Sequence, residues 1–392
     1  MRGNRPKGYH NRVIRASVGL VCLGALVACD AAGPKTGPAY VAVSAGRLHS
    51  CALTDGQRAF CWGLNTNGAL GDGSTETRLA PAAVAGNLRF RSISAGFDYT
   101  CAVATTGVAY CWGDNFNGQL GDGTINHSAV PVAVSGSWTF ERVSAGEAHT
   151  CGVATTGELL CWGAPVGPAP GGGMLPNRLV PFVEQGSSFT QVSSGYEIVC
   201  AVTDGAAPYC WGLYPPGVHF VDTTQHSAGY PVPVEANGVS LASVTAAHKQ
   251  ACGLTDVGEA YCWGENTQGQ LGIGTTRDTT YPAAVSGGLV FASLDSRGPG
   301  HSCGVTTAGS AYCWGSNGFG QLGTSGDSGS PAPAQVDGGL LFASVAPGFF
   351  HTCGVTVEGQ AYCWGYGRFG QLGTGDTVDV HQPVRVAPPL AP

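Results

Sequence analysis

Residues 94–123 read SAGFDYTCAVATTGVAYCWGDNFNGQLGDG, and most of the chain consists of variations on this stretch. Cys101 and Cys111 stand ten residues apart with Thr106-Gly107 between them, and Trp112-Gly113 follows at once. The same Cys-x9-Cys-Trp-Gly pattern recurs at Cys51 and Cys61, Cys151 and Cys161, Cys200 and Cys210, Cys252 and Cys262, Cys303 and Cys313, and Cys353 and Cys363. Successive first cysteines are separated by 50, 50, 49, 52, 51 and 50 residues. A regular period of this size points to a propeller or an array. Each repeat offers four short strand-like runs, in the second at residues 90–94, 100–104, 108–112 and 131–134. Short runs parted by Gly-rich turns are the pattern of all-β blades. Both faces of the middle runs are apolar or small, so burial on both sides is expected.

Three motifs carry a family resemblance: Ser-Ala-Gly-x-x-His at 44–49, Trp-Gly-x-Asn-x-x-Gly-Gln-Leu-Gly-x-Gly at 112–123, and Pro-x-x-Val at 131–134. In these the chain resembles the regulator-of-chromosome-condensation repeat family. The resemblance implies a seven-bladed β-propeller with about 50 residues per blade. The family includes nucleotide exchange factors, light receptors and secreted bacterial proteins, so the fold leaves function open.

Composition and the N-terminus narrow that choice. Gly is abundant at 63 of 392 residues and charged residues are scarce at 11%, as suits short strands and tight turns. Arg2, Arg5, Lys7, Arg12 and Arg15 precede an apolar run at 16–28, which is short for a membrane span and fits a signal-peptide core. The run ends in Leu26-Val27-Ala28-Cys29, which resembles a bacterial lipobox with Cys29 as the lipidated first mature residue. The expected layout is a lipoprotein signal at 1–28, a Gly/Pro tether at 29–39, the propeller at 40–387 and a tail at 388–392. Without the five leader cations, thirteen Lys and Arg face 25 Asp and Glu, a net charge near −12. No basic stripe remains to neutralise phosphates, which argues against nucleic acid or an anionic membrane surface as partner. The membrane is reached through the N-terminal lipid alone, and the protein is expected to be monomeric.

The cysteines follow from hairpin geometry. With Gly107 left-handed in a three-residue loop, Cys101 opposes Cys111 within disulfide reach. Repeats 1 and 4 carry Asp-Gly one residue earlier, at Asp55-Gly56 and Asp204-Gly205, and keep the half-cystine spacing. Seven disulfides are the reading; buried free thiols are the competing one. Zinc ligation is disfavoured by the nine intervening residues. The short link between residues 131–134 and 140–143 suggests that Pro-x-x-Val pairs with the strand after it, so that the final strand would complete the first blade.

His49, His149, His301 and His351 share one motif position, where Tyr99, Ile198 and Gln250 stand elsewhere. That mixture suits a histidine bonding its own turn better than a metal ligand. Asp72, Asp122, Asp278, Asp327 and Asp376 lie in loops too sparse in oxygen ligands for calcium, and turn formation is their expected role. Gly-x-Ser-x-Gly, His-Glu-x-x-His and Gly-x4-Gly-Lys-Ser/Thr are all read as missing, so neither enzyme nor cofactor is expected.

Repeats 3 and 4 replace the Asn-x-x-Gly-Gln-Leu-Gly loop with APVGPAPGGGM at 164–174 and LYPPGVHF at 213–220. Repeats 2, 6 and 7 carry Phe116, Phe319 and Phe369 in that loop. Projecting from one rim, these would form a binding surface with Tyr214, Phe220 and Arg368, since aromatic and Arg side chains anchor interfaces. Packed inside their own loops, they would not. Trp138 and Phe349-Phe350 are lesser candidates. The leading expectation is a noncatalytic protein-binding propeller tethered to the envelope, an adaptor or an inhibitor of an exported protein. The resemblance extends to bacterial propellers that block β-lactamases. A carbohydrate-binding or carbohydrate-active envelope protein is the alternative. Nucleotide exchange on a small GTPase is disfavoured by the export signal and by an even spacing with no inserted wedge.

Overall fold

The computed structural model describes Met1 and residues 38–167, 175–184, 188–213 and 227–390. Cys29, Tyr214 and Phe220 therefore lie outside the described residues. Gly37–Pro392 is one compact unit. Its strands, β1 to β28, form seven antiparallel sheets of four, each built from four consecutive strands. In the second sheet these are β5 (Phe90–Ala95), β6 (Tyr99–Ala104), β7 (Ala109–Gly113) and β8 (Ser128–Ala133), paired in that order. Every residue of β6 is buried, because both faces of the blade pack on neighbouring blades. The outer strand β8 is only partly covered and contains Pro131, which cannot donate a ladder hydrogen bond. Pro81, Pro181, Pro231, Pro282, Pro333 and Pro383 repeat this in the other blades, blunting edges that would otherwise pair with foreign strands.

The core is divided into seams between blades. Between the second and third, Tyr99, Cys101, Leu120, Phe140, Leu160 and Trp162 pack together. The Gly-Gln-Leu-Gly loop of one blade reaches over the next: the Gln119 carbonyl accepts from Trp162 Nε1 and Thr150 Oγ1, each at 2.9 Å. Gly121 has φ +70°, and a Cβ there would meet the Trp162 ring at 2.6 Å, which explains why this loop position is glycine.

Ring closure differs from the sequence expectation. The final strand β28 (Val380–Arg385) is the outer strand of the seventh blade, and the first blade is complete with its own β4 (Arg78–Ala83). Pro-x-x-Val pairs backwards, with Tyr110 opposite Ala133 and Cys111 opposite Val132. The link after it carries the chain from the outer edge of one blade to the inner strand of the next. The ring closes through seam contacts instead. The Gln371 carbonyl accepts from Trp62 Nε1 and Ser50 Oγ at 2.9 Å, Tyr40 N donates to the Gly359 carbonyl at 2.9 Å, and Trp62 packs with Cys353, Cys363 and Leu372.

All seven cysteine pairs face each other across the middle hairpin of their blade at disulfide-bonding distance, with Cα atoms 4.0–4.1 Å apart. Cys51 meets Cys61 in the first blade, Cys101 meets Cys111 in the second, and Cys151 meets Cys161 in the third. Cys200 meets Cys210 in the fourth and Cys252 meets Cys262 in the fifth. Cys303 with Cys313 and Cys353 with Cys363 complete the ring. Each pair occupies directly opposed positions of the ladder, as the hairpin count requires. Gly107 takes the left-handed turn position at φ +90°, and Ala104 N bonds the Val108 carbonyl at 2.8 Å. In repeats 1 and 4 the left-handed residue does not move to Gly56 or Gly205. Gln57 (φ 61°) and Ala206 (φ 59°) hold the same place as Gly107. The cysteine register therefore fixes the turn, at the cost of two non-glycine residues in a disfavoured conformation.

Candidate binding face at the propeller mouth

The histidines prove to be latches between blades. His49 Nε2 lies 2.9 Å from Thr100 Oγ1, His301 Nε2 2.9 Å from Thr352 Oγ1, and His351 Nε2 2.8 Å from Ser50 Oγ. Each hydroxyl already donates to a loop carbonyl, of Ala69, Gln321 and Gln371 respectively. It must therefore accept from the histidine, which assigns the proton to Nε2. Tyr99 does the same work with its phenol, which lies 3.0 Å from Thr150 Oγ1, whose own proton goes to the Gln119 carbonyl, and accepts from Gly146 N at 3.0 Å. Val199 stands where five of the seven blades present a hydroxyl, and His149 Nε2 is buried without a partner. Burial pushes His49 and His149 down to about 4 and His301 and His351 to about 3. These are neutral structural groups bridging seams, not ligands converging on the axis.

The loop aspartates also serve local structure. Asp72 Oδ1 accepts from Ser74 N at 3.0 Å and Asn65 Nδ2 at 3.3 Å, and Asp72 Oδ2 pairs with Arg78 at 2.7 Å. Burial alone would raise the Asp72 carboxyl; the hydrogen bonds from Arg78 and Ser74 outweigh it and hold it below the usual carboxylate range. Asp122 repeats the arrangement with Asn115 and Thr124. Residues 300–304 have Gly-x-Ser-x-Gly spacing, so the expectation that this motif is missing is wrong. Ser302 lies fully buried inside β22 (His301–Thr306), donating to the Gln270 carbonyl at 2.9 Å. It is no exposed elbow at a strand-to-helix turn.

Because the strands run up and down, the first and third loops of every blade emerge on one face. There the aromatics meet. Phe369 packs on Tyr366 at 6.1 Å between centroids, Tyr366 on Phe319 at 4.9 Å, and Phe319 on Phe350 at 5.5 Å. Phe350 continues to Phe349 at 5.7 Å, which meets Phe97 at 5.2 Å; Phe97 then meets Tyr196 at 5.7 Å. Tyr196 also contacts His248 at 4.9 Å. Phe97, Tyr196 and Phe349 come from the second, fourth and seventh blades, so they cap the axis itself. Arg47 stacks over Phe97 at 4.0 Å and pairs with Asp98 at 2.5 Å. Phe319 and Phe369 are the open end of the tract, 37% and 36% exposed. Arg368 lies beside Phe369, 3.3 Å from Asp379.

Phe319, Phe369 and Arg368 are thus brought together on one rim, as the binding reading requires. Phe116 is not among them: it is 75% exposed and makes no ring contact among the described residues. Trp138 packs partly on the seam between the second and third blades, in a loop of the opposite face. The sequence reading missed Phe97, Tyr196, Tyr366 and Arg47. Three of these fill a variable position of the Ser-Ala-Gly-x-x-His motif, where a fixed turn presents a changing side chain to solvent. On the side of Tyr196, burial raises the Glu147 carboxyl, against a hydrogen bond from the tyrosine that lowers it.

Beneath the aromatic cap, Arg297 crosses the channel. It has Asp295 Oδ2 at 3.3 Å and donates from Nη1 to Ser94 Oγ of the second blade at 3.0 Å. Asp295 opposes Cys303 where Ser44 opposes Cys51, so the sixth blade has one extra residue in its first loop. That insertion places the guanidinium on the axis. Among the described residues, no group of three or more His, Cys, Asp or Glu side chains could hold a metal ion.

The profiles matching this chain are both described as Regulator of chromosome condensation (RCC1) repeat. One matches residues 40–69, 90–119, 296–321 and 342–371, the other residues 57–103, 106–153, 257–295 and 358–391. The chain is similar to the human probable E3 ubiquitin-protein ligase HERC4, 34% identical over 88 residues, 22% of this chain and 8% of that protein. It therefore spans less than a tenth of that relative's length. Among solved structures it is similar to Prp20p of Saccharomyces cerevisiae, with TM-score 0.73 and 20% identity over 89% of this chain and 87% of that one. Human WBSCR16 is similar at TM-score 0.74 and 19% identity, over 84% of this chain and 94% of that one. Seven blades of four strands, stitched by the Trp-Gly and Gly-Gln-Leu-Gly loops, place the chain in the RCC1 repeat family.

Proposed function

We propose that this propeller is a noncatalytic protein-binding module, held at a bacterial envelope through lipid on Cys29, and that its partner docks on the aromatic mouth. The observation that carries the reading is the tract from Phe369 to Tyr196: part-exposed rings from several blades, joined on one face of a stapled ring. Aromatic anchors beside Arg47 and Arg368 have the composition of an interface centre. Arg47 and Arg368 are already paired with Asp98 and Asp379, so their guanidinium groups are oriented before a partner arrives. The binding of Prp20p, whose structure was described with its binding to Gsp1p and histones, supports protein recognition by this fold. Nothing in the residues singles out those partners here. Export would suit the cysteine pairs, which form durable disulfides in oxidising compartments.

The test uses Gly37–Pro392 as bait against the host's envelope and secreted proteins, with crosslinking and mass spectrometry. Phe319→Ala/Phe369→Ala and Phe116→Ala run alongside. One stoichiometric partner, lost in the double variant and kept in Phe116→Ala, is the expected result. Loss in Phe116→Ala alone would move the site off the axis. Binding to glycans but to no protein would replace this reading with the carbohydrate one.

A further inference from the structure

On the far side of Arg297 from the aromatic cap, the channel widens into a cavity of about 320 Å³, at the small end of the range for ligand pockets. Its wall is made by the inner strands of five blades and includes Arg142, Ser144, Thr245, Asp295, Arg297 and Ser344. Two guanidinium groups against one carboxylate leave this wall cationic, in a chain whose net charge is −7. Arg297 is committed on two sides, its Nε 3.3 Å from Asp295 Oδ2 and its Nη1 donating to Ser94 Oγ. Ser344 Oγ is buried and has no partner. Arg142 has neither an ion pair nor a side-chain hydrogen bond among the described residues. The other hydroxyls of this wall are engaged: Ser144 Oγ accepts from Ser194 N at 2.8 Å and Thr245 Oγ1 donates to Asp295 Oδ1 at 2.9 Å. The cavity therefore presents one unpaired, solvent-reaching guanidinium, Arg142, and one unpartnered hydroxyl, Ser344, beside the Asp295–Arg297 pair.

We infer that this cavity binds a small anion, through a carboxylate or phosphate group gripped by the Arg142 fork, with Ser344 Oγ as a further donor. A planar guanidinium with free N–H groups matches both anions bidentately. The site stands apart from the aromatic mouth, because Arg297 and the capping rings lie between the two. It does not depend on the partner proposed for that mouth.

The test is calorimetric titration of the purified full chain with succinate and with inorganic phosphate at constant ionic strength. Sodium chloride is the control. Saturable one-site binding of at least one of the two is expected, and which one binds identifies the group. Arg142→Ala should weaken it by about tenfold or more, as loss of a charge-assisted bond requires. Ser344→Ala should weaken it severalfold, and Phe319→Ala/Phe369→Ala should leave it unchanged. No saturable binding of either anion to the wild type, or equal binding by Arg142→Ala and Ser344→Ala, would overturn the assignment and leave the orphan donors to water.

Discussion

The histidine latches make the propeller acid-sensitive, with a magnitude set by their burial. In His301 and His351, Nε2 is committed to Thr352 and Ser50, while Nδ1 is buried without a partner. A second proton would place an uncompensated charge inside a seam, which is why both sit at about 3 when folded. In the unfolded chain they return to about 6.5, so below that pH the unfolded state binds more protons and stability falls as pH falls. Their contribution is complete above pH 6.5 and is lost on the way down to about 3. At about 1.4 kcal/mol per pH unit for each group, the pair accounts for roughly 5 kcal/mol between pH 6.5 and 4.5. That is a large part of a typical domain's total of about 5–15 kcal/mol. His351 also bonds across the seam that closes the ring. The perturbation is His301→Gln/His351→Gln, because the chain itself uses Gln250 at this position, donating to Ser296 Oγ at 3.3 Å. Urea unfolding of wild type and variant at four pH values from 7.5 to 4.5 gives the two slopes. The variant should be less stable at neutral pH but lose about 2.7 kcal/mol less per pH unit below pH 5.5. Parallel curves would refute the latch mechanism, since carboxylate titration is common to both proteins.

Two further perturbations test the frame. Gln57→Gly and Ala206→Gly relieve left-handed backbone at φ 61° and 59°, and each should stabilise by about 1 kcal/mol in denaturant titrations. Cys353→Ala/Cys363→Ala should cost about 2–3 kcal/mol, the loop-closure value for this spacing. Alkylation of the unreduced protein in denaturant should leave the fourteen propeller cysteines unlabelled; labelling of all of them would restore the free-thiol reading.

The fold was legible because its signals are arithmetic. A constant period and a constant cysteine spacing set strand number and hairpin register, and the observed opposition of Cys101 to Cys111 follows from residue counting alone. The position of the turn in repeats 1 and 4 was misread because Asp-Gly is a strong local turn signal. The seam packing of Cys51 and Cys200 overrides it and leaves Gln57 and Ala206 in the strained place. Ring closure was misread for another reason. A short link between two strands can fold back as a hairpin or cross from rim to axis, and no residue in 134–140 distinguishes the two.

Less of the site was legible, since it is made by positions that the repeat leaves free. Phe319 and Phe369 were visible as aromatics in a polar loop, whereas Phe97 and Tyr196 looked like filler between a fixed glycine and the Tyr99 or Ile198 that replaces the motif histidine. Arg297 left a fainter trace, one extra residue between Asp295 and Cys303, and Asp295 itself where five repeats have Ser or Thr and the seventh has Ala346. The latches and cysteine pairs make the seven turns nearly rigid, so change at the free positions costs little stability. Aromatic rings gathered from non-adjacent blades at one end of such a frame, and a cationic cavity behind Arg297, are therefore features of the loops and the axis. A ring of identical blades would have neither. Under the proposed reading this asymmetry between blades carries the function, and Phe319→Ala/Phe369→Ala on one side of Arg297 and Arg142→Ala on the other test its two halves separately.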